Sequence, residues 1–425
     1  MALTLAIGDD DMLPKLWARV DAFHIDALST NEAKPHAKTL ARFAADDTTV
    51  TAPTSLEGAL RASGFECHRM DDNTLTAQFA PRWRVRRHEP PRAADVATRG
   101  AIVIGAGLAG CAMTSRLASR GWRVTLIDRY AAPARDASGN PAGVFHPIVW
   151  PDDSVAARLT HAGFSHALNH WQTLEQADHD LFRSHAGLLQ IADTEEDAVA
   201  LADAITRFNY PREYVSSVSR DEASQIAGVE VARGGCFFPR GGAISPAAVC
   251  EAQLAQARES LIRLMNTEAS RIEYCRDRWY VFDQEDKEIA SAPVLVLANA
   301  QDAQRLLLPA VARTSSDETH RGRVAFRCVT SDRIPMIGQL ADESLARRDA
   351  SKLLGAWPLD LPRTPGLYGA FAFGSRGLVW ATLAAELIAA QIEGEPWPIE
   401  RELAEAIDPA RFLLRALRHG EITAS

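Results

Sequence analysis

The residues with the most chemical content lie between Ala101 and Asp128, in AIVIGAGLAGCAMTSRLASRGWRVTLID. Gly105, Gly107 and Gly110 stand in the spacing G-x-G-x-x-G, directly after the apolar run Ile102, Val103, Ile104. In a dinucleotide site each glycine has its own task. Gly105 makes the tight turn, Gly107 lets the backbone approach a pyrophosphate, and Gly110 lets helix and strand pack closely. The free N–H groups and positive dipole at the start of the following helix attract the diphosphate. Asp128, eighteen positions after Gly110, ends a second apolar strand and is placed to accept from ribose hydroxyls. Glycines alone would also fit a plain turn. The strand before, the helix after and the acid at this distance together predict a bound FAD or NAD.

A second glycine-led start, Gly374-Ser375-Arg376-Gly377, precedes the apolar-striped helix Leu378–Glu393. It would aim another helix dipole into the same site, where it could stabilise negative charge on a reduced flavin. The alternative is a glycine-rich turn that closes a sheet.

These groups must be carried by an α/β framework. Residues 1–88 read as alternating strands and helices, with a helix near Ser55–Ser63 and two strands running through Arg87. Glu89-Pro-Pro-Arg-Ala-Ala-Asp95 is a proline-rich linker. After Asp128 come the loop ASGNPAGVFHP (Ala137–Pro147), a long helical region from about Ser154 to Ser184, and strands at Gly187–Ala192 and Gly235–Phe238. Pro246–Leu261 reads as a helix, and RIEYC and WYVF alternate like paired strands. PVLVLANA (Pro293–Ala300) is unbroken in its apolar character, as a parallel strand covered on both faces should be. GLYGAFAF is a further strand.

No run of about eighteen apolar residues is present, so a membrane span is not expected. The N-terminus, MALTLAIGDDDMLP, has acids where a secretory signal has basic residues, which points to the cytoplasm. The six cysteines are scattered without a CxxC pair, so neither disulfides nor a metal site is expected. A net charge of −9 argues against indiscriminate nucleic-acid binding. Two local basic clusters remain, Arg82–His88 and Arg411, Arg415, Arg418, His419.

GxGxxG, ASGN-x-x-G, GRVAFRCVTSDRIPMIG (Gly322–Gly338) and GSRGL before an apolar helix together resemble the glycine/D-amino-acid oxidase group of flavoproteins. Within that group the chain is most similar to the MnmC-type tRNA 5-methylaminomethyl-2-thiouridine biosynthesis family. The pieces that carry this are ASGNPAGVFHP, FRC-x-T-x-D-x-x-P and the ending GEPWPIERELAEAIDPARFLLRALRHG. LTLAIGDDDMLPKLWARVDAFHIDAL resembles the middle of that family's methyltransferase domain.

The resemblance implies an α/β fold. A Rossmann-like FAD-binding domain (98–185 with 290–320 and 364–425) would be interrupted by a smaller α+β substrate domain (186–289 with 321–363). A partial methyltransferase-like segment (1–88) and a linker (89–97) would precede it. It implies that FAD is held by Gly105, Gly107, Gly110, Asp128, Ser138, Gly139, Asn140, Gly374, Ser375 and Gly377. It also implies a reaction on tRNA in which carboxymethylaminomethyl-uridine at the wobble position loses hydride to flavin N5. The imine then hydrolyses to an aminomethyl base and glyoxylate. That chemistry needs a neutral amine, an anchored carboxylate, and an α-carbon about 3–3.5 Å from the flavin.

Arg327 matches the position where relatives grip the carboxylate, a task suited to a planar guanidinium. Its alternative is an ion pair with Asp332 or another acid. Arg376 would face the flavin, the tRNA backbone or solvent, and His146 is expected to be structural. Two departures from the family pattern are visible. No glycine-rich loop precedes Gly105, and Asp26-Ala27-Leu28-Ser29-Thr30 stands where the family has Asp-Gly-Phe-Ala-Pro, so S-adenosylmethionine binding and methyl transfer are expected to be lost. Only 21 residues separate Ala300 from Gly322, where the family carries a β-rich segment, and Phe373 replaces an expected histidine. The alternatives are a free glycine or D-amino-acid oxidase, or a paralogue that binds FAD without turnover.

Overall fold

The computed structural model describes residues 12–26, 33–82, 93–307 and 327–420. In chain order the first elements are β1 (Val20–His24), α1 (Ala33–Phe43), β2 (Ala44–Pro53), α2 (Glu57–Ala62), β3 (Phe65–Arg69) and β4 (Thr74–Phe79). Then follow β5 (Gly100–Ile104), α3 (Leu108–Ser119), β6 (Arg123–Ile127), β7 (Gly143–Phe145), α4 (Val155–Gln176), β8 (Leu188–Ile191), α5 (Glu195–Arg207) and β9 (Ser216–Val218). Next come α6 (Arg220–Ala227), β10 (Gly235–Phe238), β11 (Gly242–Ile244), α7 (Pro246–Gln256), β12 (Leu261–Leu264), β13 (Arg271–Cys275), β14 (Arg278–Phe282), β15 (Glu288–Ala292), β16 (Val294–Leu297) and α8 (Ala303–Leu307). The last are β17 (Met336–Ala341), α9 (Glu343–Arg348), α10 (Ala350–Leu353), β18 (Arg363–Phe371), α11 (Gly377–Glu393), α12 (Arg401–Ile407) and α13 (Ala410–Arg418).

The chain divides into two compact units, Met1–Asp95 with Ala341–Arg363 and Ala389–Ser425, and Val96–Leu340 with Thr364–Ile388. The first holds a four-stranded sheet of order β1-β2-β4-β3, parallel between β1 and β2 and antiparallel elsewhere. Val50 and Ala52 of β2 point into a core with Leu40, Leu60, Phe65 and Leu75. In this unit the Trp397 ring lies 5.9 Å from that of Trp17, and buried Asp408 pairs with Arg363 at 3.0 Å. Residues 341–363 and 389–420, expected with the flavin and substrate domains, therefore pack with the N-terminal segment. Of the two basic clusters, Arg82 alone of the first is described. In the second, Arg418 donates to the carbonyls of Leu354 and Ala356, and Arg411 to that of Asp408.

The second unit is built on a six-stranded sheet of order β12-β6-β5-β16-β18-β17. The pairings β5–β6, β5–β16, β16–β18 and β6–β12 are all parallel. Every residue of β16 is buried, as its uninterrupted apolar sequence requires in a parallel sheet covered on both faces. The antiparallel sheet β13-β14-β15 and the small sheet β8-β10-β9 are inserted into the chain between β12 and β16 and between β6 and β12.

Two elements differ from expectation. The helix starting after Ser154 ends at Gln176 rather than near 184, because the chain turns at Asp178 and Phe182, both in the left-handed region. The helix from Pro246 ends at Gln256, and Leu261–Leu264 instead forms edge strand β12 beside β6.

Candidate cofactor and substrate site

The glycine loop joins the end of β5 to the start of α3. At Gly105 (φ +106°) a Cβ would lie 2.7 Å from the Ala298 carbonyl oxygen, and at Gly110 it would lie 1.8 Å from that of Gly105. Neither position admits a side chain, and each therefore does the turn or packing work that its spacing indicated. A Cβ on Gly107 would meet Ser138 Oγ at 2.9 Å, and that hydroxyl accepts the Leu108 N–H at 3.0 Å. The ASGN loop thus reaches the helix start, with Ser138 already on one of its free donors.

Asp128 is held by two backbone donors. Its Oδ2 accepts the Ala106 N–H at 2.6 Å and its Oδ1 the Tyr130 N–H at 2.9 Å. Burial raises its pKa, while these two N–H bonds act in the opposite direction. The carboxylate therefore clips the glycine turn to the end of β6.

Two cavities meet at this helix start. The first, about 350 Å³, is lined by Gly105, Gly107, Asp128, Ser138 and Asn299 among others. The second, about 440 Å³, is lined by Gly107, Ser138, Asn140, Arg327, Ser375 and Arg376, with Gly374 and Gly377. Ala137 and Ala298 also line both. Gly110 and Gly139 are absent from either lining; the Gly139 N–H turns back to the Asp136 carbonyl at 2.9 Å. A Cβ on Gly377 would touch Leu108 at 3.3 Å, so the starts of α3 and α11 converge on one place. Glu386 of α11 holds the two helices together through Arg116 (2.8 Å) and Arg120 (2.6 Å) of α3. Burial opposes ionisation of Glu386, but the two arginines outweigh it and hold its pKa below the ordinary value.

Arg327, the alternative partner expected for Asp332, lines the second cavity. Asp332 accepts from Thr330 Oγ1 at 2.7 Å and from the Ile334 N–H at 3.1 Å. Arg376 is partly buried, its pKa is lowered by that burial, and its hydrogen-bond partner is the His146 carbonyl at 3.4 Å. His146 Nδ1 lies 2.8 Å from the Pro147 carbonyl. A carbonyl can only accept, so Nδ1 carries the proton. Burial, together with Arg376, lowers the pKa of His146 and keeps the ring neutral, which leaves Nε2 free to accept.

Two contributors had no signature in the sequence. Arg129 ties the first cavity's walls together, pairing with Asp136 and Asp302, each at 2.9 Å. Asn299 has its Oδ1 buried without a hydrogen-bond partner. Of the stretch Asp26–Thr30, only Asp26 is described, paired with His24 at 2.8 Å on the surface. Most of the short connection after Ala300 lies outside the described residues. Among the described residues no helix is long and apolar enough to cross a membrane, and no group of acids, histidines and cysteines could hold a metal ion.

The sequence matches the family described as DAO, FAD dependent oxidoreductase, over residues 101–315. It is 48% identical to the tRNA 5-methylaminomethyl-2-thiouridine biosynthesis bifunctional protein MnmC of Paraburkholderia phymatum, over 98% of this chain and 78% of that protein. The MnmC protein of Paraburkholderia xenovorans is 45% identical over 100% of this chain and 78% of its own length. The chain belongs to the MnmC family. It is an FAD-dependent oxidoreductase by the same match. In fold it is similar to glycine oxidase from Geobacillus kaustophilus (17% identity, TM-score 0.57, 74% of this chain and 99% of that one). It is similar also to iminodiacetate oxidase from Chelativorans sp. BNC1 (18%, TM-score 0.54, 73% and 98%). The alignment to the P. phymatum relative occupies 508 positions against 425 residues here, so at least 83 positions are filled only in the relative.

The paired cavities suit FAD. Glycine is required where the backbone must be approached, two helix starts supply donors, and the orphaned Asn299 Oδ1 awaits a donor.

Proposed function

We propose that this protein removes the carboxymethyl group from carboxymethylaminomethyl-(2-thio)uridine at the wobble position of tRNA, leaving the aminomethyl base and releasing glyoxylate. The observation that carries this reading is Arg376. It is a partly buried guanidinium with no acid partner among the described residues, on the wall of the second cavity beside Arg327. A desolvated cation without a counter-charge is costly. An anionic ligand entering that cavity removes the cost, and a carboxymethylamine has its carboxylate next to the reacting carbon.

In this reading the first cavity holds the adenosine side of FAD, with Asp128 at the ribose and Gly107 and Ser138 at the pyrophosphate. Gly374, Ser375 and Gly377, with Asn140, border the flavin end. Bound FAD supplies the two-electron acceptor for hydride from the substrate's α-carbon. Arg327 and Arg376 grip the carboxylate and fix the orientation of that carbon. His146 Nε2 takes the proton of the substrate ammonium, so that the nitrogen lone pair is available when the C–H bond breaks. The residues 1–88 neither bind S-adenosylmethionine nor methylate. A tRNA substrate places the protein in the cytoplasm.

The test is anaerobic mixing of the purified yellow protein with tRNA that carries the carboxymethylaminomethyl group. Bleaching of the flavin band by this tRNA and not by glycine is the expected result. Bleaching by glycine alone would make it a free amino-acid oxidase. Bleaching by neither would make it a flavin-binding protein without this activity.

A further inference from the structure

A third cavity, about 350 Å³, opens beside the second and shares His146 and Arg376 with it. Its remaining wall comes from the segment Ile148–Pro151 and from β8 and α5, including Trp150, Gln190, Ile191, Asp193 and Asp197. Nothing in the reaction described above uses it. Its rim carries Trp150, a residue 52% exposed. An exposed aromatic face on an RNA-modifying protein offers a stacking surface for an unpaired base.

Resting on the tRNA reading above, we propose that this third cavity seats the wobble pyrimidine itself, flipped out of the anticodon and stacked on Trp150. The ring lies against Ile148 and Ile191, and its 5-substituent reaches along the wall that Arg376 shares with the second cavity. Gln190, exposed on β8, offers an amide with one acceptor and two donors. That set complements the N3–H donor and O4 acceptor on the Watson–Crick edge of a uridine. Asp193 and Asp197, also on this wall, are exposed, and their charge repels phosphates. The cavity therefore suits the neutral base and not the RNA backbone. The shared wall explains why Arg376 faces both spaces, since base and carboxylate lie on the two sides of one short arm.

The experiment compares Trp150→Ala and Trp150→Phe with the parent protein, all with FAD bound, using tRNA that carries the carboxymethylaminomethyl group. Loss of one base-stacking contact predicts a KM for tRNA about 5- to 150-fold higher in Trp150→Ala, and Trp150→Phe should recover most of it. Flavin content and kcat should change by less than about threefold, because the flavin-side groups are untouched. Gln190→Glu, which loses both donors to O4, should also raise KM. An unchanged KM in Trp150→Ala overturns the base seat while the parent's activity still upholds the reaction. Loss of flavin or a fall in kcat without a change in KM also overturns it, by making Trp150 structural. A parent protein that is not bleached by the tRNA removes the reaction itself.

Discussion

Gly107 leaves open the space in front of the α3 start, and a side chain there meets Ser138 Oγ at 2.9 Å. Gly107→Val should therefore purify colourless, which flavin fluorescence after denaturation checks. Asp128→Ala removes the clip on Ala106, together with the ribose partner proposed above, and should weaken FAD binding by about 1.5–3 kcal/mol. Arg327→Ala or Arg376→Ala should keep the flavin spectrum but slow its reduction by the tRNA. An unpaired carboxylate costs about 2–5 kcal/mol, roughly 30- to several-thousand-fold, and lysine should restore only part of it. His146 is neutral down to a pKa below 6.5 because of burial, so kcat/KM should fall only as pH drops beneath that value. His146→Ala should abolish this acid limb in a stopped-flow pH profile. At this scale the sequence was legible where the signal is local: the glycine spacing, Asp128, the ASGN loop. Asn299 and the bridging Arg129 were not, since their roles depend on Asp302, Asp136 and a cavity wall distant in sequence.

Glu386 joins helices α3 and α11, whose starts meet at the site. Glu386→Ala leaves Arg116 and Arg120 without this partner in a half-buried place, a loss of about 2–3 kcal/mol after allowance for solvent. Denaturant unfolding would measure it, and flavin affinity should fall with it. Nearby on α4, burial lowers the pKa of His166 and of His170 to about 4. Both are neutral in the folded protein and take up protons on unfolding once pH is below 6.5. Their contribution to stability is complete above that value and is lost as pH falls toward 4, by up to about 3 kcal/mol each. His166→Gln with His170→Gln should flatten stability between pH 6 and 4, as followed by thermal melts. Most strands were readable from apolar runs, β16 above all. The end of α4 was not, because left-handed residues such as Asp178 and Phe182 leave no periodic trace. Edge strand β12 was missed because Leu261–Leu264 continues the apolar pattern of the preceding helix.

For the whole molecule, calorimetry of the intact chain with S-adenosylmethionine should show no binding. The reason is that Asp26-Ala27-Leu28-Ser29-Thr30 stands where the resemblance leads one to expect Asp-Gly-Phe-Ala-Pro. Micromolar binding would overturn this. The domain scheme read from sequence followed chain order, whereas packing gathers Trp397 against Trp17, and such a return of the chain has no local signal. The order of the large sheet also has a consequence during biosynthesis. Val294 of β16 pairs with Ala101 of β5, 193 residues earlier. At about 5–20 residues per second, a ribosome needs roughly 10–40 s to make that interval. Until then Ile102 and Ile104 stand on an open parallel edge, a ready template for aggregation. Slower chain initiation or a holdase chaperone should therefore raise soluble yield more than added flavin does, because the sheet that receives the flavin is completed only by strands made late.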